Sequence, residues 1–160
     1  NLLSLFVFRP LLTDLARDWE GENIKEFTDI VKKMMILIGA LTIAACVGAY
    51  LLGIPILSLV YGVDLRAYRM ELVIIMICGG LNAYVYCLYY VVTVTGKQIF
   101  LLLGYGAGLI FAVFLGSSFV KSLGMLGAAL SCTLSFGVVF IVFLIITSCV
   151  VKDRKKKTEV

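Results

Sequence analysis

Charge is missing from this chain over four long stretches: residues 34–61, 72–95, 98–120 and 122–151 hold no Asp, Glu, Lys or Arg. At about 1.5 Å per residue each can cross a hydrocarbon layer about 30 Å thick, so each reads as a transmembrane helix. The rest of the composition agrees, with 62% hydrophobic residues, 15% charged residues and a mean hydropathy of +1.08. A soluble chain of this size is far more polar. The expected fold class is therefore all-α, a polytopic membrane helical bundle with four complete transmembrane helices. Residues 1–8 are also uncharged and read as the end of a fifth, truncated helix. With no initiator Met before them, the sequence is expected to be a fragment of a longer membrane protein.

Residues 9–33 differ sharply. Here charges alternate with Leu12, Leu15 and Trp19, then with Ile24, Phe27 and Val31, both sets at helical spacing. This predicts a cytoplasmic amphipathic linker of two short surface helices broken near Gly21. Asn23 and Glu26 have the spacing of a capping box, so the second helix should start there and run on into the first complete span. The 34–151 segment then forms the four-helix transmembrane part, and 152–160 is a basic tail suited to anionic lipid. Alternate loops fall on alternate sides of a membrane, which divides the 14 Lys and Arg residues eleven to three. The richer side holds the linker, Lys97 and the C-terminus, and the positive-inside rule makes it cytoplasmic.

Within the spans, small residues recur four apart, at Ala40, Ala44 and Gly48 and again at Gly104, Gly108, Ala112 and Gly116. Such ridges let helices approach closely. Pro55 predicts a kink after Gly53, and Asp64 is placed to cap the helix that follows. Residues 95–98 form a tight antiparallel return, 117–124 a loop, and Gly127, Ser131 and Ser135 share a face of the last span.

The third feature of note is the polarity of residues 70–95. At about 100° per residue, Glu71, Asn82, Tyr86, Tyr89 and Thr93 share one side, while Val73, Ile77, Leu88 and Val91 share the other. The expectation is a polar side facing the bundle and an apolar side facing lipid. Polar groups at mid-membrane cost free energy, so Asn82 either bonds across helices or lines a cavity. Tyr89 and Tyr90 suit an interfacial aromatic belt, whereas Tyr86 lies deeper and its ring and hydroxyl fit the faces of sugars.

Enzymatic chemistry finds little footing. The chain has no His and no phosphate-binding loop, its acids near the spans are Asp64 and Glu71, and its five cysteines lie at irregular spacing in apolar runs. The cysteines read as packing residues, and neither a cofactor, a metal nor a nucleic-acid partner is expected.

The blocks FRPLLTDLARDWEGENIKEF, GIPILSLVYGVDLRAYR, LNAYVYCLYYVVTVTGKQ and SLGMLGAALS occur in that order. Together they resemble the C-terminal part of bacterial polysaccharide-biosynthesis flippases, members of the multidrug, oligosaccharidyl-lipid and polysaccharide exporter superfamily. The resemblance covers nearly the whole chain, and the order of the blocks is more specific than any one block. It implies a C-terminal lobe fragment of a two-lobed alternating-access transporter in the bacterial cytoplasmic membrane, with the N-terminal lobe as its missing partner. The implied substrate is an undecaprenyl-diphosphate-linked oligosaccharide destined for O-antigen or capsule. Substrate-path candidates are then Asn82, Tyr86, Tyr89 and Arg9, the last either at the cavity mouth or an arginine snorkelling to the interface. The family's basic residues for the diphosphate have no counterpart here, since no Lys or Arg lies within a complete span. An ion-coupled drug or metabolite exporter of the same superfamily, or a non-transporting scaffold subunit of a glycan-assembly complex, remain alternatives.

Overall fold

Proline and glycine mark several of the helix boundaries. The computed structural model describes residues 13, 15–19, 21, 24–65 and 68–158, with side chains as far as residue 154. Among these the chain is almost entirely helical, without strands. The α-helices of that portion number four: α1 (Ile24–Gly48), α2 (Ile54–Tyr61), α3 (Arg69–Val94) and α4 (Ile99–Thr158). This is one fewer than four plus the end of a fifth, and the expected fifth, residues 1–8, lies outside the described residues, as do Arg9 and Asn23.

Between α1 and α2 the backbone widens into a π-helical turn, Ala49–Gly53, and Pro55 follows in the first turn of α2. Proline has no N–H for the carbonyl four residues back and its ring crowds that turn, so the widened backbone is the local answer to Pro55. The helical hydrogen bonding continues through it, and Ile24–Tyr61 forms one run long and apolar enough to cross a membrane. Arg69–Val94 and Ile99–Arg154 are two more. The first of these runs begins upstream of residue 34, as the sequence led one to expect, with Phe27 and Ile24 already buried.

A straight helix of 60 residues would be about 90 Å long, three times the thickness of a bilayer core. The chain avoids this at Gly124, whose φ of 57° and ψ of −127° are open to glycine and strained for any residue with a Cβ. Around it α4 doubles back. Gly104 lies against the ring of Phe143, Gly108 against Val139 and Gly116 against Ser131, a register in which each step along one limb matches a step back along the other. The expected loop at 117–124 is therefore helical up to Gly124, and one left-handed residue replaces it. The glycine ridge does the work assigned to it, and its partner is the chain's own final limb.

Helix α1 packs antiparallel on α3 in the same manner, Gly39 against the Tyr84 hydroxyl, Gly80 against Thr42 and Gly53 against Leu72. The ridge of Ala40, Ala44 and Gly48 is not used: both alanines are exposed and nothing lies near Gly48. Helix α3 starts after Tyr68 with no side-chain cap, so Asp64 does not cap it. Two apolar clusters hold the helices together. One joins Leu15, Trp19 and Phe27 to Met34, Cys87, Val91 and Val150; the other joins Val85, Leu88 and Val92 to Leu101, Val139 and Phe143.

The ends of the bundle are distinct. At one, Lys97 meets Asp153 at 3.9 Å and the Arg154 guanidinium lies 4.8 Å over the Trp19 ring while donating to the Trp19 carbonyl at 3.2 Å. At the other, Arg69 lies 5.2 Å over the Tyr50 ring, and Tyr68 and Met125 border a common cavity.

Candidate functional site

The organisation of α3 reverses one expectation. Leu88 and Val91 are each 1% exposed and sit in the two apolar clusters, so they face protein and not lipid. In the half of the helix towards Lys97, packing is carried by this apolar side, with Val85, Cys87 and Val92 beside them, whereas Ile77, on the same side nearer Glu71, is 42% exposed as expected. The physical reason is that lipid tails are as apolar as leucine, so shape decides which face a membrane helix buries. The polar side is the one left open: Tyr86 is 42% exposed, and Asn82 and Tyr89 are half-buried.

Asn82 sits at the midpoint of α3, about 16 Å from Glu71 along the axis. Among the described residues its amide has no hydrogen-bonding partner, so it does not tie these helices together. Tyr86 is one turn towards the Lys97 end and Tyr89 roughly another, its ring edge-on to Tyr90 at 5.5 Å. Thr93 belongs to the same side but donates its hydroxyl proton to the Tyr89 carbonyl at 2.8 Å, which leaves it fewer bonds to offer outward.

A residue that the sequence placed only beside the glycine ridge joins this group. Tyr105, 41% exposed, lies in the neighbourhood of Tyr86 and Tyr89, and its ring stands edge-on to Phe143 at 5.3 Å. The tight return at 95–98 carries the signal that could have found it, because folding the chain back about Lys97 sets residue 105 level with residue 89. Gly96, with φ of 75°, donates its N–H to the Thr93 carbonyl and makes that return possible. The result is a strip of three phenolic hydroxyls and one carboxamide running from mid-helix towards the Lys97 end. Each offers both donor and acceptor capacity, and none is charged.

Glu71 is not part of the strip. It lies at the far end in an apolar cavity of about 300 Å³ shared with Ile54, Leu72 and Met125, with its Oε2 buried and without a hydrogen-bonding partner. Nearby, Ser58, Asp64 and Arg69 border a cavity of about 670 Å³. No group of three or more potential metal ligands occurs among the described residues. Comparison with family models, with curated proteins and with solved structures finds no match.

Proposed function

We propose that this chain contributes one wall of a transmembrane path for a lipid-linked oligosaccharide, as a lobe of a two-lobed alternating-access exporter in a bacterial cytoplasmic membrane. The observation that carries the reading is the polar side of α3, where Tyr86 and, beside it, Tyr105 are exposed and Asn82 and Tyr89 partly so, while at the same level of the helix Val85, Leu88, Val91 and Val92 are packed. An uncharged strip of phenols and a carboxamide suits a glycan, which presents hydroxyls and apolar ring faces in alternation. The resemblance of the ordered sequence blocks to polysaccharide flippases supports the same substrate class. The diphosphate would then be held by cations outside this strip, and the C-terminus would lie in the cytoplasm by the eleven-to-three distribution of Lys and Arg.

The test is export in cells that depend on this protein for surface polysaccharide. Asn82→Leu and Tyr86→Ala should cut surface glycan several-fold at unchanged protein abundance, while Ile110→Leu, on an exposed apolar position, should not. Normal export in both polar-side variants would remove the glycan reading.

One observation favours an ion-coupled exporter of the same superfamily instead: the buried, unpartnered Oε2 of Glu71. An acid without a hydrogen-bonding partner beside a membrane span is the kind of group that marks an ion pathway. Glu71→Gln separates the two, since it abolishes gradient-driven export if Glu71 couples an ion and leaves glycan export in place if it is structural.

A further inference from the structure

At the Lys97 end of the bundle a cleft of about 550 Å³ opens between α1, α3 and the last limb of α4. Its deep walls are apolar, formed by Met35, Leu88 and Leu144, and its mouth carries Lys32 and Lys152. From Leu144 to Lys152 is about 12 Å along the helix, so the cleft runs from the level of the lysines well into the hydrocarbon layer. Between the two zones lies Thr147, whose Oγ1 is buried and has no hydrogen-bonding partner. Thr28, also on the wall, donates to the Ile24 carbonyl at 2.7 Å, so Thr147 is the buried hydroxyl with a free donor, and Ser148 is an exposed hydroxyl on the same wall.

An apolar slot, a buried donor and a cationic rim, in that order outward, match the chain, ester region and phosphate of an anionic lipid. Lys32 has a neighbour, Asp29, at 3.8 Å, but both side chains are about two-thirds exposed and such a pair is worth little, so it does not prevent Lys32 from meeting a phosphate. We propose that this cleft is a binding site for an anionic glycerophospholipid, with one acyl chain against Met35, Leu88 and Leu144, Thr147 donating to the ester or phosphate, and the headgroup between Lys32 and Lys152. The site needs the chain to lie in a bilayer, but does not depend on glycan transport. Basic pockets between membrane helices at a cytoplasmic surface take lipid headgroups in this way.

Trp19, the chain's single tryptophan, reports on the cleft because its ring lies 5.0 Å from that of Phe27, a cleft wall. The chain is placed in phosphatidylcholine nanodiscs containing equal fractions of phosphatidylcholine or phosphatidylglycerol with brominated acyl chains. Brominated phosphatidylglycerol should quench Trp19 more strongly, and millimolar inorganic phosphate should leave the preference intact. Lys32→Gln and Lys152→Gln should each lower it about fivefold, Thr147→Val should lower it further, and Lys33→Gln, an exposed lysine outside the cleft, should not. Equal quenching by the two lipids, displacement by phosphate alone, or an equal effect of Lys33→Gln would each overturn the proposal. Thr147→Val removes a hydroxyl without a change of shape, so its effect tests the site even where the lysine variants disturb folding.

Discussion

Lys97, in the turn between α3 and α4, lies 3.9 Å from Asp153, beyond the last apolar stretch. Two segments separated by a double pass of the chain thus meet at one end of the bundle. Trp19 joins them through Arg154, so linker, turn and tail share a side, which is the relationship the alternating loop charges require. The ion pair itself is exposed and contributes about 0–1 kcal/mol, so it marks the topology and does not enforce it. Single cysteines introduced at Lys97 and at Lys152, in a chain stripped of its native cysteines, should react with a membrane-impermeant thiol reagent from the same side. A cysteine at Val63 should react from the opposite side.

Gly124 is the point at which α4 doubles back. Gly124→Val should destabilise the bundle by about 1–3 kcal/mol, the range for a residue with a Cβ held in a sparsely populated backbone region. Thermal unfolding in detergent reads this out. Gly106, a helical glycine with open space around its Cα, is the control, and Gly106→Ala should be neutral or slightly stabilising.

At Gly104 the constraint is contact and not backbone. A Cβ there would collide with the Phe143 ring, so Gly104→Ala should cost about 1–3 kcal/mol by overpacking. Coupling to Phe143→Leu in a double-mutant cycle should recover part of that loss, because the smaller side chain relieves the collision.

Cys78 and Cys132, on α3 and the last limb of α4, have their Sγ atoms 3.4 Å apart. A lipid-soluble oxidant should join them as a disulfide, and the product would resist separation after cleavage of the chain near residue 97 until reduced. Cys87, buried in the core beside Val91, should stay unmodified under the same treatment. Fragments that separate without reductant would show that α3 and the last limb are not packed in this register.

Helix periodicity and glycine spacing carried much of this arrangement in advance. The ridge at Gly104, Gly108 and Gly116 is legible because close approach demands a missing Cβ, whatever the partner. The same logic failed for Ala40, Ala44 and Gly48, since a ridge permits contact without requiring it. The reversal at Gly124 reads in sequence as a loop of several residues because a single positive-φ glycine suffices only when both flanking limbs stay helical, and that is settled by tertiary packing. Leu88 and Val91 were assigned to lipid for a related reason: in a membrane an apolar side chain gains little from choosing protein over lipid, so amphipathicity does not say which face is inside. Tyr105 was visible in principle through the hairpin geometry, but not as a polar-strip residue from its own helix alone.

The central claim is that the polar side of α3 faces water or substrate and not hydrocarbon. Thiolates form and react in water, so the most direct measurement is the reactivity of single cysteines at Asn82 and Tyr86 towards a charged, impermeant thiol reagent, with Val85 and Leu88 as buried references. The account predicts that positions 82 and 86 react at rates well above those of 85 and 88 and are protected by a soluble glycan. Reactivity at 82 and 86 as low as at 85 and 88, in protein whose loop position 97 labels normally, would contradict it.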